Sequence, residues 1–196
     1  MRTALRFGRV LAGLAGVTAL GLGLMAGSPA AAAPAHQHPV ATARPSAGQL
    51  AAMKAATTRF HNIATAEDAS YGLLHDQAGI TCIAMPGEGG MGVHFVNGDL
   101  VGTPTVDLRH PEALVYAPDR DGTLRLAALE FIVDKAAWDA HHRARPQLFR
   151  NAPFDLTTAP NRYGLAPFYS QHVWLYQPNP AGTLTMWNPR VHCPSS

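Results

Sequence analysis

From Gly79 onward the chain is a series of short β-branched and aromatic runs separated by Gly, Pro and Asp, a grammar that predicts an antiparallel sheet and leaves no room for a helical bundle. Strands are expected over 80–85, 91–97, 113–117, 124–133, 172–177 and 183–187. Pro118-Asp-Arg-Asp-Gly122 should join the third and fourth as a hairpin, and Asn179-Pro-Ala-Gly182 should turn the fifth into the sixth. Helical signals come first. Ser46-Ala-Gly-Gln49 matches a capping box, and Leu50, Met53, Thr57, Phe60 and Ala64 follow as one apolar stripe, which predicts a helix over 47–64. Thr65-Ala-Glu-Asp68 reads as a second cap, opening a short helix to about Leu74. A further short helix is expected over 136–145, and 146–167, with four Pro, as a long surface loop. Helices followed by a mainly antiparallel sheet define an α+β class, in one domain over 46–196.

The first 33 residues read as a signal peptide. Arg2, Arg6 and Arg9 form a basic start, 10–26 is an apolar stretch, and Ser28-Pro-Ala-Ala-Ala-Ala-Pro-Ala35 supplies small residues for cleavage. The expected destination is therefore outside the cell, with no stable membrane anchor and residues 34–45 as a flexible arm. His36 and His38 in that arm would lie near the new N-terminus, where an amine, backbone nitrogens and an imidazole can bind copper; incidental histidines in a disordered arm are the plainer reading. Processing leaves twelve of the fifteen basic residues against all thirteen acidic ones, a net charge of −1. With no basic cluster in the body, nucleic acid and anionic membranes are poor partner classes. Cys82 and Cys193 are the two cysteines, and in an oxidising space they are expected to form one disulfide.

Three of the expected strands carry an ionisable residue in mid-run: His94 in Met91-Gly-Val-His-Phe-Val96, Glu130 in Leu124-Arg-Leu-Ala-Ala-Leu-Glu-Phe-Ile-Val133, and His172 in Gln171-His-Val-Trp-Leu-Tyr176. A carboxylate removed from water without a partner costs several kcal/mol, so it finds a partner or its pKa rises. Strict alternation puts Glu130 on a face with Leu124, Leu126, Ala128 and Ile132, and His172 on a face with Trp174 and Tyr176. The economical explanation for all three is that they meet. Two His and a carboxylate are the ligand set of non-haem iron and catalytic zinc sites and, with nitrogen dominant, of copper sites. One reading is thus a transition metal ion (Cu, Zn or Fe) or a small ligand bound at His94, Glu130 and His172, with Glu130 as ligand or general base. The other is a non-catalytic extracellular binding or structural module in which the three form a buried hydrogen-bond network. Tyr116, Trp174 and Tyr176 are candidates to line a ligand cavity, though strand aromatics are core residues first. No Gly-x-Ser-x-Gly element is present. The Gly-rich run 87–92 leads into a strand and lacks the anion-binding geometry of a phosphate loop.

The runs Gly90-Met-Gly-Val-His-Phe-Val-Asn97, Pro111-Glu-Ala-Leu-Val-Tyr116, Leu126-Ala-Ala-Leu-Glu-Phe-Ile-Val133, His172-Val-Trp-Leu-Tyr176, Asn179-Pro-Ala-Gly182 and Trp187-Asn-Pro-Arg-Val-His-Cys193 resemble a family of small exported bacterial proteins known mainly as hypothetical proteins. The resemblance spans residues 60–193, apart from 150–169. It implies that His94, Glu130 and His172 stand at motif positions, and it brings no activity or cofactor.

Overall fold

Ser46 opens the first helix as its sequence predicts. Its Oγ accepts the Gln49 N–H at 3.2 Å, its own N–H donates to Gln49 Oε1 at 2.8 Å, and α1 runs Ala47–Thr57. The computed structural model describes residues 44–194; the expected signal peptide (1–33) and nearly all of the expected arm, with His36 and His38, lie outside them. The apolar stripe does not continue unbroken to residue 64. Thr57 and Thr58 turn their hydroxyls back onto the Met53 and Lys54 carbonyls, each at 2.7 Å, and the chain tightens into a 3₁₀ turn over Thr58–His61. Asn62 then caps α2, Ile63–Asp68, ahead of the cap expected at Thr65. Ser70, with φ at 67°, ends the helical region, so Gly72–Leu73 is a strand, β1, where helix was expected.

Seven strands form one antiparallel sheet: β1, β2 (Cys82–Met85), β3 (Gly89–Val96), β4 (Ala113–Pro118), β5 (Leu124–Asp134), β6 (Asp155–Thr157) and β7 (Phe168–Val173). Their order is β1-β3-β4-β5-β7-β6, with β2 also paired to β3. Two short helices, α3 (Gly98–Val101) and α4 (Lys135–Asp139), follow β3 and β5. The class is α+β, as expected. The β4–β5 hairpin closes as its sequence indicates, with the Asp119 N–H on the Thr123 carbonyl at 2.9 Å and Gly122 at φ 85°. Cys82 and Cys193 are disulfide-bonded and fasten the C-terminal segment to β2. No helix among the described residues is long and apolar enough to cross a membrane.

Three further expectations are corrected. The strand expected over 172–177 lies four residues earlier, because the Trp174 N–H bonds the Thr183 carbonyl and the chain leaves the sheet there. Residues 183–187 form no strand. The carbonyls of Leu184 and Thr185 accept instead from Gln171 Nε2 and Trp174 Nε1, at 2.8 and 2.7 Å. Residues 146–167 are more than a surface loop: they include β6 and send Phe149, Ala152 and Phe154 into the core.

One face of the sheet packs on the helices through Phe95, Leu114, Tyr116, Leu129, Phe131 and Val133, against Met53, Phe60 and Ala66. The other face holds Val115, Ala117, Ala128 and Trp174 beneath Val191 of the C-terminal segment. A bulge in β5 corrects the simple alternation: Tyr116 pairs with Leu126 and Val115 with Ala128, so Ala127 is an extra residue. Its carbonyl accepts both the Tyr176 and the Gln177 N–H at 3.0 Å. Leu124 and Leu126 are thereby turned to the helix side, away from Glu130.

Gly92 is needed where β3 bends. Its φ is 103°, and a Cβ there would stand 2.5 Å from the Tyr116 carbonyl oxygen of β4. Gly92→Ala is expected to lower the unfolding free energy by about 2–3 kcal/mol, the cost of holding a side chain in that backbone region against a neighbouring strand. Urea titration measures it, and a loss below about 0.5 kcal/mol would show that β3 relaxes freely.

Candidate functional site

Register brings the three strand-borne groups together. Glu130 of β5 stands directly across from His172 of β7 and, on its other side, from Ala113 of β4. His94 lies one strand further out, on β3, opposite Val115 of β4. It meets Glu130 across β4, where Ala113 presents only a methyl group. His94 Nε2 is 3.3 Å from Glu130 Oε2 and 3.3 Å from His172 Nε2, and His172 Nδ1 is 3.5 Å from Glu130 Oε1. One donor atom from each residue lies within 4.8 Å of the other two. All three side chains are buried. Among the described residues no other trio of His, Cys, Asp or Glu is so arranged.

The charge state follows from burial and neighbours. Burial pushes the Glu130 carboxyl up, but the His172 imidazole and hydrogen bonds from His94 and Ser170 outweigh it and hold the group down to about 2. His172 is pulled down to about 4, because burial penalises its cation more than Glu130 favours it. The two shifts favour the carboxylate at Glu130 and the neutral imidazole at His172. No lysine or arginine among the described residues pairs with Glu130. His94 Nδ1 is buried and has no hydrogen-bond partner among the described residues.

Two members of the cluster, His94 and Glu130, form part of the floor of an apolar cavity of about 340 Å³. His94 and Glu130 line it with Asp134 and Tyr163; Leu74, Val96, Val101, Ile132, Leu165 and Phe168 are its main apolar walls. The aromatic residues expected to line a cavity do other work. Tyr116 is in the helix-side core, its hydroxyl donating to the Phe60 carbonyl at 2.6 Å. Tyr176 lies against α1, its hydroxyl 2.9 Å from Thr57 Oγ1, because the chain has left β7 before it. Trp174 shares His172's face, with ring centroids 6.3 Å apart, but packs under Val191 outside the cavity.

Two further residues matter that the sequence did not single out. Tyr163 sits in the segment read as surface loop, and burial and the Glu130 charge both raise its pKa. That segment is anchored: Arg162 Nη2 meets Asp76 Oδ2 at 2.7 Å, and the Gln77 N–H donates to the Arg162 carbonyl. Glu112, just before β4, is buried, and its Oε2 accepts the Ile132 N–H at 2.9 Å. Burial pushes it up to about 8, with help from the Glu130 and Asp107 charges and against its backbone hydrogen bonds, so it is largely protonated at neutral pH. The available signal was an acid abutting a wholly apolar strand. The remaining described histidines stand apart. His110 pairs with Asp107 at 2.9 Å, and His142 stacks on Trp138.

No protein family matches the chain, and no curated protein and no solved structure is detectably similar to it. Fold and site together define an α+β protein with a buried His–Glu–His cluster at the base of an apolar cavity.

Proposed function

We propose that this is an exported protein that holds one transition-metal ion, zinc, iron or copper, through His94, Glu130 and His172. The spacing of the three groups carries this reading. His94 Nε2 stands 3.3 Å from both Glu130 Oε2 and His172 Nε2, further than the 2.7–2.9 Å of a charge-assisted hydrogen bond. Ligand atoms arranged tetrahedrally at zinc's bond lengths are about 3.3 Å apart. Two imidazole nitrogens facing one another beside a carboxylate with no permanent cation form a site lacking only positive charge. Glu130 Oε2 faces the shared centre, while Oε1 lies 3.5 Å from Nδ1 of the His172 ring whose Nε2 faces His94. A bound ion would polarise a ligand oxygen or activate water at the cavity floor.

Loading the mature protein separately with zinc, ferrous iron and copper, then measuring metal content by mass spectrometry, tests the proposal. One ion per chain is expected. His94→Ala and His172→Ala should each lose it while circular dichroism confirms the fold. A wild type that retains none of the three ions would overturn the metal site and leave the cluster as a hydrogen-bonded network.

A further inference from the structure

The cavity above the cluster is more than access for an ion. Its volume of about 340 Å³ is roughly twice that of an engineered apolar cavity that takes up benzene, so it accommodates about two fused rings. Its walls are aliphatic and aromatic, and its polar side chains, His94, Glu130, Asp134 and Tyr163, include no lysine or arginine. Leu165 lines the cavity and is also 50% exposed, so an apolar rim meets solvent there. Two carboxyl side chains, Glu130 and Asp134, match the charge of one divalent ion, so the metal-loaded cavity has no net charge to attract an anion. Glu130 accepts hydrogen bonds, and the Tyr163 phenol can donate or accept.

From this lining we infer that the cavity binds a small, uncharged, mainly apolar molecule of about two-ring size whose single hydroxyl is directed to the His94–Glu130 floor. The inference rests on the metal reading for the anchor of the hydroxyl oxygen and on the lining residues for the apolar body. Asn161 Nδ2 on the Leu165 carbonyl at 2.8 Å and Arg162 on Asp76 keep Tyr163 and Leu165 in place as a preformed wall.

The test uses 2-naphthol as probe, with naphthalene and 2-naphthoate as controls, titrated into zinc-loaded and metal-free mature protein and followed by calorimetry. For a ligand of this size the dissociation constant for 2-naphthol should be below about 1 mM, with naphthalene and 2-naphthoate each about tenfold weaker. Leu165→Trp, at the exposed rim, should weaken 2-naphthol at least about tenfold by filling the mouth, with zinc content unchanged. Tyr163→Phe should narrow the preference for naphthol over naphthalene by about fivefold, the worth of one neutral hydrogen bond. One zinc per chain with no naphthol binding at 1 mM, or with naphthoate bound as tightly as naphthol, would overturn the ligand class and leave the metal site intact. Naphthol binding that Leu165→Trp abolishes in a chain that takes no metal would support the pocket and overturn the metal site.

Discussion

Replacing Cys82 and Cys193 with serine is expected to lower the unfolding free energy by about 4–5 kcal/mol, the chain-entropy value for opening a loop of over 100 residues. The two cysteines are 111 residues apart in sequence. The bond does more than shorten the unfolded chain. It pins the C-terminal segment over the sheet face that carries the cluster: Gly90 and Asn188 exchange N–H···O bonds at 3.1 and 3.0 Å, and Val191 covers Val115, Ala128 and Trp174. Gly89 faces the Asn188 backbone so closely that no Cβ fits. Without the tether, this segment should detach before the rest of the sheet, so its amides should exchange faster than those of β4 and β5. Urea titration of the double serine variant reads the stability change. A loss below about 1 kcal/mol would mean that the noncovalent contacts hold the segment alone.

The second large effect is a fall in stability with rising pH that Glu112→Gln removes. The folded pKa of Glu112 is raised from 4.5 to about 8, chiefly by burial, so between those values the folded chain binds more protons than the unfolded one. The contribution is fully present below about pH 4.5 and is lost as pH rises through 8. At about 1.4 kcal/mol per pH unit, the stability difference between the wild type and Glu112→Gln should change by on the order of 4 kcal/mol from pH 5 to pH 8. Glutamine keeps an oxygen to accept the Ile132 N–H and has no charge to bury, so the variant should overtake the wild type above neutral pH. Chemical denaturation at pH 5, 6, 7 and 8 decides it. Parallel curves for the two proteins would show that Glu112 ionises without cost despite its burial.

Local chemistry was legible from the residues themselves. The Ser46–Gln49 capping box, the Asp-Gly hairpin and the identity of β3, β4 and β5 depend on neighbours in sequence, which a linear reading sees. So does the anomaly of His94, Glu130 and His172, since an ionisable group within a strand is conspicuous by period alone. What escaped was decided at long range. The bulge at Ala127 is stabilised by N–H groups nearly 50 residues away, and it reverses the face of Leu126. β7 ends at Val173 because Thr183 captures the next N–H, and the Pro-rich segment is drawn inward by Phe149 and Phe154.

Sequence alone thus determined the fold class, the disulfide pair and the three residues that had to find partners, because propensity, cysteine count and desolvation can be read residue by residue. Only the tertiary structure decided that they meet. Strand order places β4, with the small side chain of Ala113, between His94 and Glu130, and β7 sets His172 opposite Glu130. The same packing turned Tyr116 and Tyr176 to the helices and placed Tyr163 in the cavity wall. Register and strand order are properties of the whole sheet, and no single stretch of sequence contains them.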